Sequence, residues 1–264
     1  MNRPREATPL LLAVPAALAG VFFLLPLVGL LAQAPWQELP ALLSTSATLE
    51  AAWLSVVCSI AAALLSLLLG LPLATWLAQG TGGLRTFVRV LVTLPMVLPP
   101  VVGGVGLLLA FGRNGLVGGA LERWFAIVLP FSSAGVVLAA TYVAMPFFVL
   151  TVESGLRSFD RRYTEAAATL GATRWRAFRT VTLPMIGPSL RAGVLVAWAR
   201  ALGEFGATIT FAGNLAGETR TLPLAVFVAL ENEPDAAIAL SLLLVGVAAA
   251  VLFLLRRHWF PTAR

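Results

Sequence analysis

The chain has 264 residues, of which 59% are hydrophobic and 11% charged, well below the roughly 25% charged content of soluble domains; a water-soluble globular protein is excluded. Its formal net charge is +6 and every basic residue is an arginine. Without a lysine the chain cannot carry a P-loop, whose lysine grips nucleotide phosphates.

Six apolar stretches approach or exceed the roughly 20 residues that a membrane-crossing helix needs. The first covers 10–32. Arg3 and Arg5 precede it and "AQA" follows at 32–34, as in a signal peptide, but its apolar region is longer than the usual 7–15 residues or so, so a retained helix is expected. The second, 51–78, holds the single cysteine, Cys58, which has no partner for an internal disulfide, and Glu50 stands at its outer end. The third, 87–111, contains "TLPMVLPPVVGGVG", with Pro95, Pro99, Pro100, Gly103, Gly104 and Gly106. Proline removes a backbone donor and bends a helix, and in lipid the freed carbonyls need neighbouring helices, water or a lined cavity. The stretch reads either as a packing kink against small residues or as a pathway-lining or gating helix. The fourth, 133–155, carries Glu153 near its inner end, where an interfacial position is expected.

The segment "TEAAATLGATRWRAFRTVTLPM", 164–185, interrupts this apolar pattern. Asp160 or Thr164 can cap a first short helix, with Glu165 favourable near its positive end. Ala166, Ala167 and Ala168 are strong helix formers, and Gly171 suits a left-handed cap. Thr173 can cap a second helix, with Trp175 and Phe178 one turn apart, before Leu183 and Pro184 redirect the chain. The spacing predicts two short helices meeting at a glycine, with a small-residue surface that a partner can approach closely. A basic loop resting on anionic lipid would explain the arginines but not the alanine run, the glycine and the Leu–Pro pair.

The fifth stretch, 190–212, contains Arg200 and Glu204 at i and i+4, which can face each other and pair as a structural ion pair or a gate element. Gly203 and Gly206 thin this helix, and Thr208 and Thr210, two apart, do not share a face. An acidic outer loop with Glu218, Glu231, Glu233 and Asp235 leads to the sixth stretch, 236–255, and His258 follows in a basic tail.

With an inner N-terminus, Arg3, Arg5, Arg85, Arg89, Arg157, Arg161, Arg162, Arg174, Arg176, Arg179, Arg191, Arg256, Arg257 and Arg264 fall on the inner side, against Arg113, Arg123 and Arg220 outside. This bias places both termini and the 157–191 loop in the cytoplasm. The chain divides into a first span with its outer loop (1–47), a transmembrane core (48–256) that includes the inner loop 157–189, and a cytoplasmic tail (257–264). No soluble domain or internal repeat is visible. The basic excess fits lipid head groups, with no nucleic-acid partner expected. No His/Cys/Asp/Glu grouping has metal-ligand spacing, so neither a metal nor another cofactor is expected on this chain.

Glu165, Ala166, Ala167, Gly171, Val181, Leu183 and Pro184 together resemble the EAA signature of ABC importer permeases, with valine where isoleucine is usual. The resemblance implies a six-helix, all-α fold of the type I importer permease kind, whose inner loop forms coupling helices seated on a separate ATPase subunit. That chain, present twice, would hold ATP and Mg, and this chain would not be an enzyme. Further partners implied are a second copy of the chain and a periplasmic or extracytoplasmic substrate-binding protein, in the plasma membrane of a prokaryote. "ARALGEFGATITFAGNLAGETRTLPLAVF" (199–227), the 93–118 stretch and "TYVAMPFFVLTVESGL" (141–156) resemble the oxyanion permeases, the molybdate group most of all. That resemblance implies molybdate, with tungstate nearly identical in size and charge, and sulfate permeases share part of the pattern. Pro95, Pro99, Pro100, Gly103, Arg200, Gly203, Glu204, Thr208 and Thr210 are the pathway or gate residues to examine. The alternatives of another class are a secondary transporter or channel working without ATP, and a membrane scaffold that transports nothing. The first leaves the EAA loop without a purpose, and the second is expected to be a straight, unbroken bundle.

Overall fold

The computed structural model describes residues 10–259, with side chains for 12–253. Arg3, Arg5 and Arg264, and the side chains of Arg256, Arg257 and His258, lie outside the described residues. The fold is all-α. In chain order the helices are α1 (Leu10–Ala32), α2 (Leu39–Leu43), α3 (Ser46–Ala78), α4 (Gly83–Val97), α5 (Pro100–Phe111), α6 (Gly118–Phe125) and α7 (Ser133–Ser158). The inner loop follows as α8 (Arg162–Thr169), α9 (Arg174–Ala177), one π-helical turn (Phe178–Thr182) and α10 (Leu183–Met185). The last part is α11 (Gly187–Leu202), α12 (Gly206–Phe211), α13 (Leu222–Asn232) and α14 (Pro234–Trp259).

The centre is a three-helix packing of α3, α7 and α11. With no water to drive helices together in lipid, close approach depends on small residues at the seams. Ala62, Ser66, Gly70 and Ala74 supply that seam on α3. The ring of Phe148, fully buried on α7, fills the space left by two glycines. A Cβ at Gly70 on α3 would stand 2.6 Å from Phe148 Cδ1, and one at Gly193 on α11 would stand 3.1 Å from Cδ2. The start of α3 is capped by Thr45, whose hydroxyl oxygen accepts from the Thr48 amide at 3.2 Å. That of α7 is capped by Ser132, which accepts from Gly135 at 3.1 Å.

Among the described residues four helices are long and apolar enough to cross a membrane uninterrupted, at Leu12–Ala32, Ser46–Ala78, Ser133–Ser158 and Pro234–Phe253, and two bent pairs bring the total to six when each is counted as one span. The break expected from the proline–glycine run in 87–111 is sharp: α4 and α5 meet at 120°. Leu98, held extended by Pro99, ends α4, and Pro100 opens α5 at a position where a missing N–H is harmless. The expected span 190–212 is corrected. Its first part is α11, which begins after a bend of 71° from the Arg174–Met185 segment and stops at Leu202, and α12 resumes at Gly206.

The acidic segment before α14, expected as a loop, is more ordered than a loop. α13, 11 residues long, is too short to span and folds back against α14 and α3 through Ala51, Leu222 and Leu240. Its first amide, Leu222 N, donates to Ser55 Oγ of α3 at 2.6 Å. α1 exposes its apolar side chains and touches the rest of the chain at α14.

Candidate functional site

The inner loop folds into a compact projection from local rules. Asp160 Oδ1 accepts from the Arg162 amide at 3.0 Å, and the Arg162 guanidinium pairs with the same carboxylate at 2.7 Å. That hydrogen bonding holds the Asp160 carboxyl below the usual carboxylate range. Glu165 lies in the first turn of α8, where its charge complements the exposed amides. α8 ends with Gly171 at φ 81°, and both bonds of a Schellman cap are present: Gly171 N donates to Ala168 O at 2.9 Å and Ala172 N to Ala167 O at 3.0 Å. Thr173 Oγ1 accepts from Arg176 N at 3.3 Å to open α9. Trp175 and Phe178 stack with ring centroids 5.8 Å apart, and the Arg179 guanidinium lies 5.9 Å from the Trp175 ring.

The tip of this projection is apolar and uncovered. Leu170 is 88% exposed, Trp175 66% and Tyr163 54%. Glu165, Ala166 and Gly171 are exposed on it, Ala167 is half-buried, and Leu183 and Pro184 stand at its base as the chain enters α11. The loop joins the bundle through Phe178 and buried Ala177 and Thr182. The coupling residues expected from the sequence are thus brought onto one protruding unit, hinged to α11 through the 71° bend.

A second cluster forms where α5 meets α12. A methyl group at Gly104 would collide with Thr210 Oγ1, and its Cβ would stand 2.8 Å from Ala207 O. A Cβ at Gly206 would stand 2.9 Å from Pro100 Cβ, and one at Gly103 would stand 2.8 Å from the Tyr142 ring of α7. Pro100 and Thr210 therefore sit in one tight joint between α5 and α12, with Gly103 beside it against α7, while Pro99 is exposed at the α4–α5 corner and Pro95 is buried within α4. Gly104, Gly206 and Tyr142 complete the joint. The proline–glycine run pointed to Gly104 and the glycines of the fifth stretch to Gly206, whereas Tyr142 carried no signal.

Arg200 and Glu204 pair as their spacing suggests, with Arg200 Nη2 2.7 Å from Glu204 Oε2 and the carboxylate side chain 1% exposed. Glu204 also has a second task. It sits in the break after exposed Gly203, and its Oε1 accepts from the Ala207 amide at 2.8 Å, satisfying the start of α12. Among the described residues the buried hydroxyl of Thr208 has no hydrogen-bond partner, whereas Thr210 Oγ1 donates to Gly206 O at 2.9 Å.

Glu153, near the end of α7, is buried against its own chain. It is 4% exposed and accepts from Arg89 Nη2 of α4 at 2.7 Å and from Arg157 Nε at 2.9 Å. Both arginines also donate to Leu77 O at the C-terminal end of α3, at 3.3 Å and 3.2 Å, and Arg85 Nε donates to Trp76 O at 3.1 Å. The open carbonyls of α3 and the negative end of its dipole are thus closed by cations. Glu50 is exposed, as expected of an interfacial residue. Among the described residues no group of three or more His, Cys, Asp or Glu is placed to hold a metal.

Comparison with known proteins agrees with this geometry. Residues 70–262 match the family described as "Binding-protein-dependent transport system inner membrane component". The chain is 46% identical over 248 residues, 94% of each chain, to the molybdenum transport system permease protein ModB of Mycobacterium tuberculosis. It is 41% identical to ModB of Escherichia coli over 80% of this chain and 92% of that one. A solved structure of a bacterial alginate ABC transporter, in complex with a pentasaccharide-bound periplasmic protein, shares the fold with a TM-score of 0.72 at 18% identity, covering 92% of each chain. The bent spans, the glycine-packed joint and the capped inner projection therefore belong to a multi-pass membrane protein, and the chain is a member of the family of inner membrane components of binding-protein-dependent transport systems.

Proposed function

We propose that this chain is the membrane-spanning permease subunit of an ATP-driven importer that carries molybdate, or the near-identical tungstate, into the cytoplasm. The observation that carries the coupling part is the α8–α10 projection, whose cap bonds are complete while its apolar tip is left uncovered. Leu170, Tyr163 and Trp175 are large apolar groups in an aqueous position, and a rigid exposed patch of that kind fits a partner's cleft. The partner is a separate ATPase subunit, one for each of two copies of this chain, and ATP and Mg belong to it. The two copies line one pathway about a two-fold axis. A substrate-binding protein delivers the anion on the outer side, and both chain termini lie in the cytoplasm. The names of the relatives support molybdate; the sulfate alternative rests on shared sequence patterns.

Closure of the ATPases draws the two projections together. Each projection is continuous with α11 through the π-helical turn and α10, so the movement reaches Arg200, Glu204 and the α12–α5 joint. Pro100, Gly103, Gly203, Thr208 and Thr210 are the pathway or gate residues in this reading. A passing dianion needs hydrogen-bond donors without a trapping charge, and the spare hydroxyl of Thr208 is one such donor.

The test is the purified complex with its binding protein. Molybdate should stimulate ATP hydrolysis and sulfate should not; stimulation by sulfate alone would overturn the substrate assignment. Gly171→Asp or Glu165→Arg should abolish ATPase-subunit association and uptake while the protein stays in the membrane. Normal uptake in either variant would reject the coupling role.

A further inference from the structure

A cavity of about 470 Å³ separates the inner projection from the ends of α3 and α7, and its lining includes Gln79, Arg161, Arg174, Phe159 and Thr182. Neither Arg161 nor Arg174 is in an ion pair among the described residues. No carboxylate lines the space, and Asp160, beside Arg161 in sequence, is taken up by Arg162. The Gln79 amide and the Thr182 hydroxyl make no side-chain hydrogen bond among the described residues, so the cavity offers two guanidiniums and two further donors with nothing inside the chain to receive them. One wall is the end of two spanning helices, at Ala78 and Phe159. That is the depth of lipid head groups. The opposite wall is the projection itself.

We infer that this cavity is a binding site for a tetrahedral phosphate group, held by Arg161 of the projection's entry and Arg174 of α9 against Gln79 at the end of α3. Guanidinium groups bind phosphate oxygens in pairs and keep their charge at every physiological pH. A phosphate there bridges the projection to the bundle and stiffens the lever that moves α11. The headgroup of an anionic phospholipid and free inorganic phosphate share this chemistry. The site rests on the cytoplasmic placement of the loop, and it stands independently of which ion is transported.

The experiment uses the detergent-purified complex of the chain with its ATPase subunits, and counts bound short-chain phosphatidylglycerol by native mass spectrometry. Three forms are compared: the natural chain, R161Q with R174Q, and R176Q with R179Q. The last pair removes the same charge from the same loop but lies outside the cavity lining. The site predicts retention about thirtyfold weaker in the first pair and near-natural retention in the second. Equal losses in both pairs, or none in either, would overturn it. Competition with inorganic phosphate separates the sources. Displacement assigns the site to the free anion, and persistence of the bound lipid assigns it to the headgroup. Co-purification of the ATPase is read in the same samples. Its absence from the natural chain would sink the coupling reading, while the lipid count on the permease alone would still decide the cavity.

Discussion

Arg89 of α4 and Glu153 of α7, 64 residues apart in sequence, are joined at 2.7 Å. Together with Arg157 they close the carbonyl end of α3, so one buried carboxylate holds three elements together at the ends of α3 and α7. α4 departs from α5 at 120°, and this ionic joint pins it to the bundle.

Glu153→Gln should destabilise the protein by about 3 kcal/mol, toward the low end for a broken buried pair because both arginines retain access to solvent. Arg157→Gln should cost less, since Arg89 still neutralises the carboxylate. Thermal melts of the detergent-purified variants read the order, and a Glu153→Gln protein as stable as the natural one would show that the joint carries no weight.

Glu204 has two separable roles, as ion-pair partner and as acceptor for the Ala207 amide. Glu204→Gln keeps an acceptor and loses the charge, whereas Glu204→Ala loses both and should be the more damaging by about 1 kcal/mol. A double-mutant cycle with Arg200→Ala should give a coupling of about 1–3 kcal/mol. A cycle that sums to zero would mean that the 2.7 Å contact contributes nothing to stability.

The glycines of the α5–α12 joint are not interchangeable. Gly104→Ala drives a methyl into Thr210 and should cost about 1–3 kcal/mol, and Gly206→Ala does the same against Pro100. Gly106→Ala meets nothing within 4 Å and should be tolerated. Uptake and melting temperature should fall in the first two and hold in the third. The reverse order would refute the packing account.

Thr208→Val removes a hydroxyl that has no partner in this structure. Stability should be unchanged or slightly raised, because a buried unpaired polar group is lost. If uptake falls while the melting temperature does not, the hydroxyl serves the pathway; unchanged uptake would remove Thr208 from it.

Gly171 adopts φ 81° with open space where a side chain would go. Substitution there is penalised by backbone conformation alone, about 1–2 kcal/mol for Gly171→Ala. Asparagine enters the left-handed region more easily, so Gly171→Asn should retain more ATPase-subunit association than Gly171→Ala in a co-purification assay. Equal loss in both would point to a contact with the partner in place of the cap.

The inner projection was legible because its causes are local. Thr173, Gly171 and the alanine run lie within a turn or two of the groups they satisfy, so caps and helix propensities can be read along the chain. Arg200 and Glu204 were legible for the same reason, one turn apart on one helix. The partners of Glu153 were not: nothing nearby in sequence names Arg89 or the Leu77 carbonyl. α13 was taken for loop because 11 residues are too few to span and its neighbours, Ala51 and Leu240, are remote.

Composition and hydropathy by themselves determined a membrane protein of apolar helices, because lipid leaves the backbone no other partner than its own helix. Proline and glycine marked where those helices break. Only the tertiary structure decided the direction of each break, since a freed backbone turns toward whichever neighbour can receive it. It placed α5 against α12 through Gly104 and Gly206, and it joined Arg89 of α4 to the Glu153 carboxylate of α7. Those choices depend on side chains meeting across tens of residues, where no periodicity carries the information.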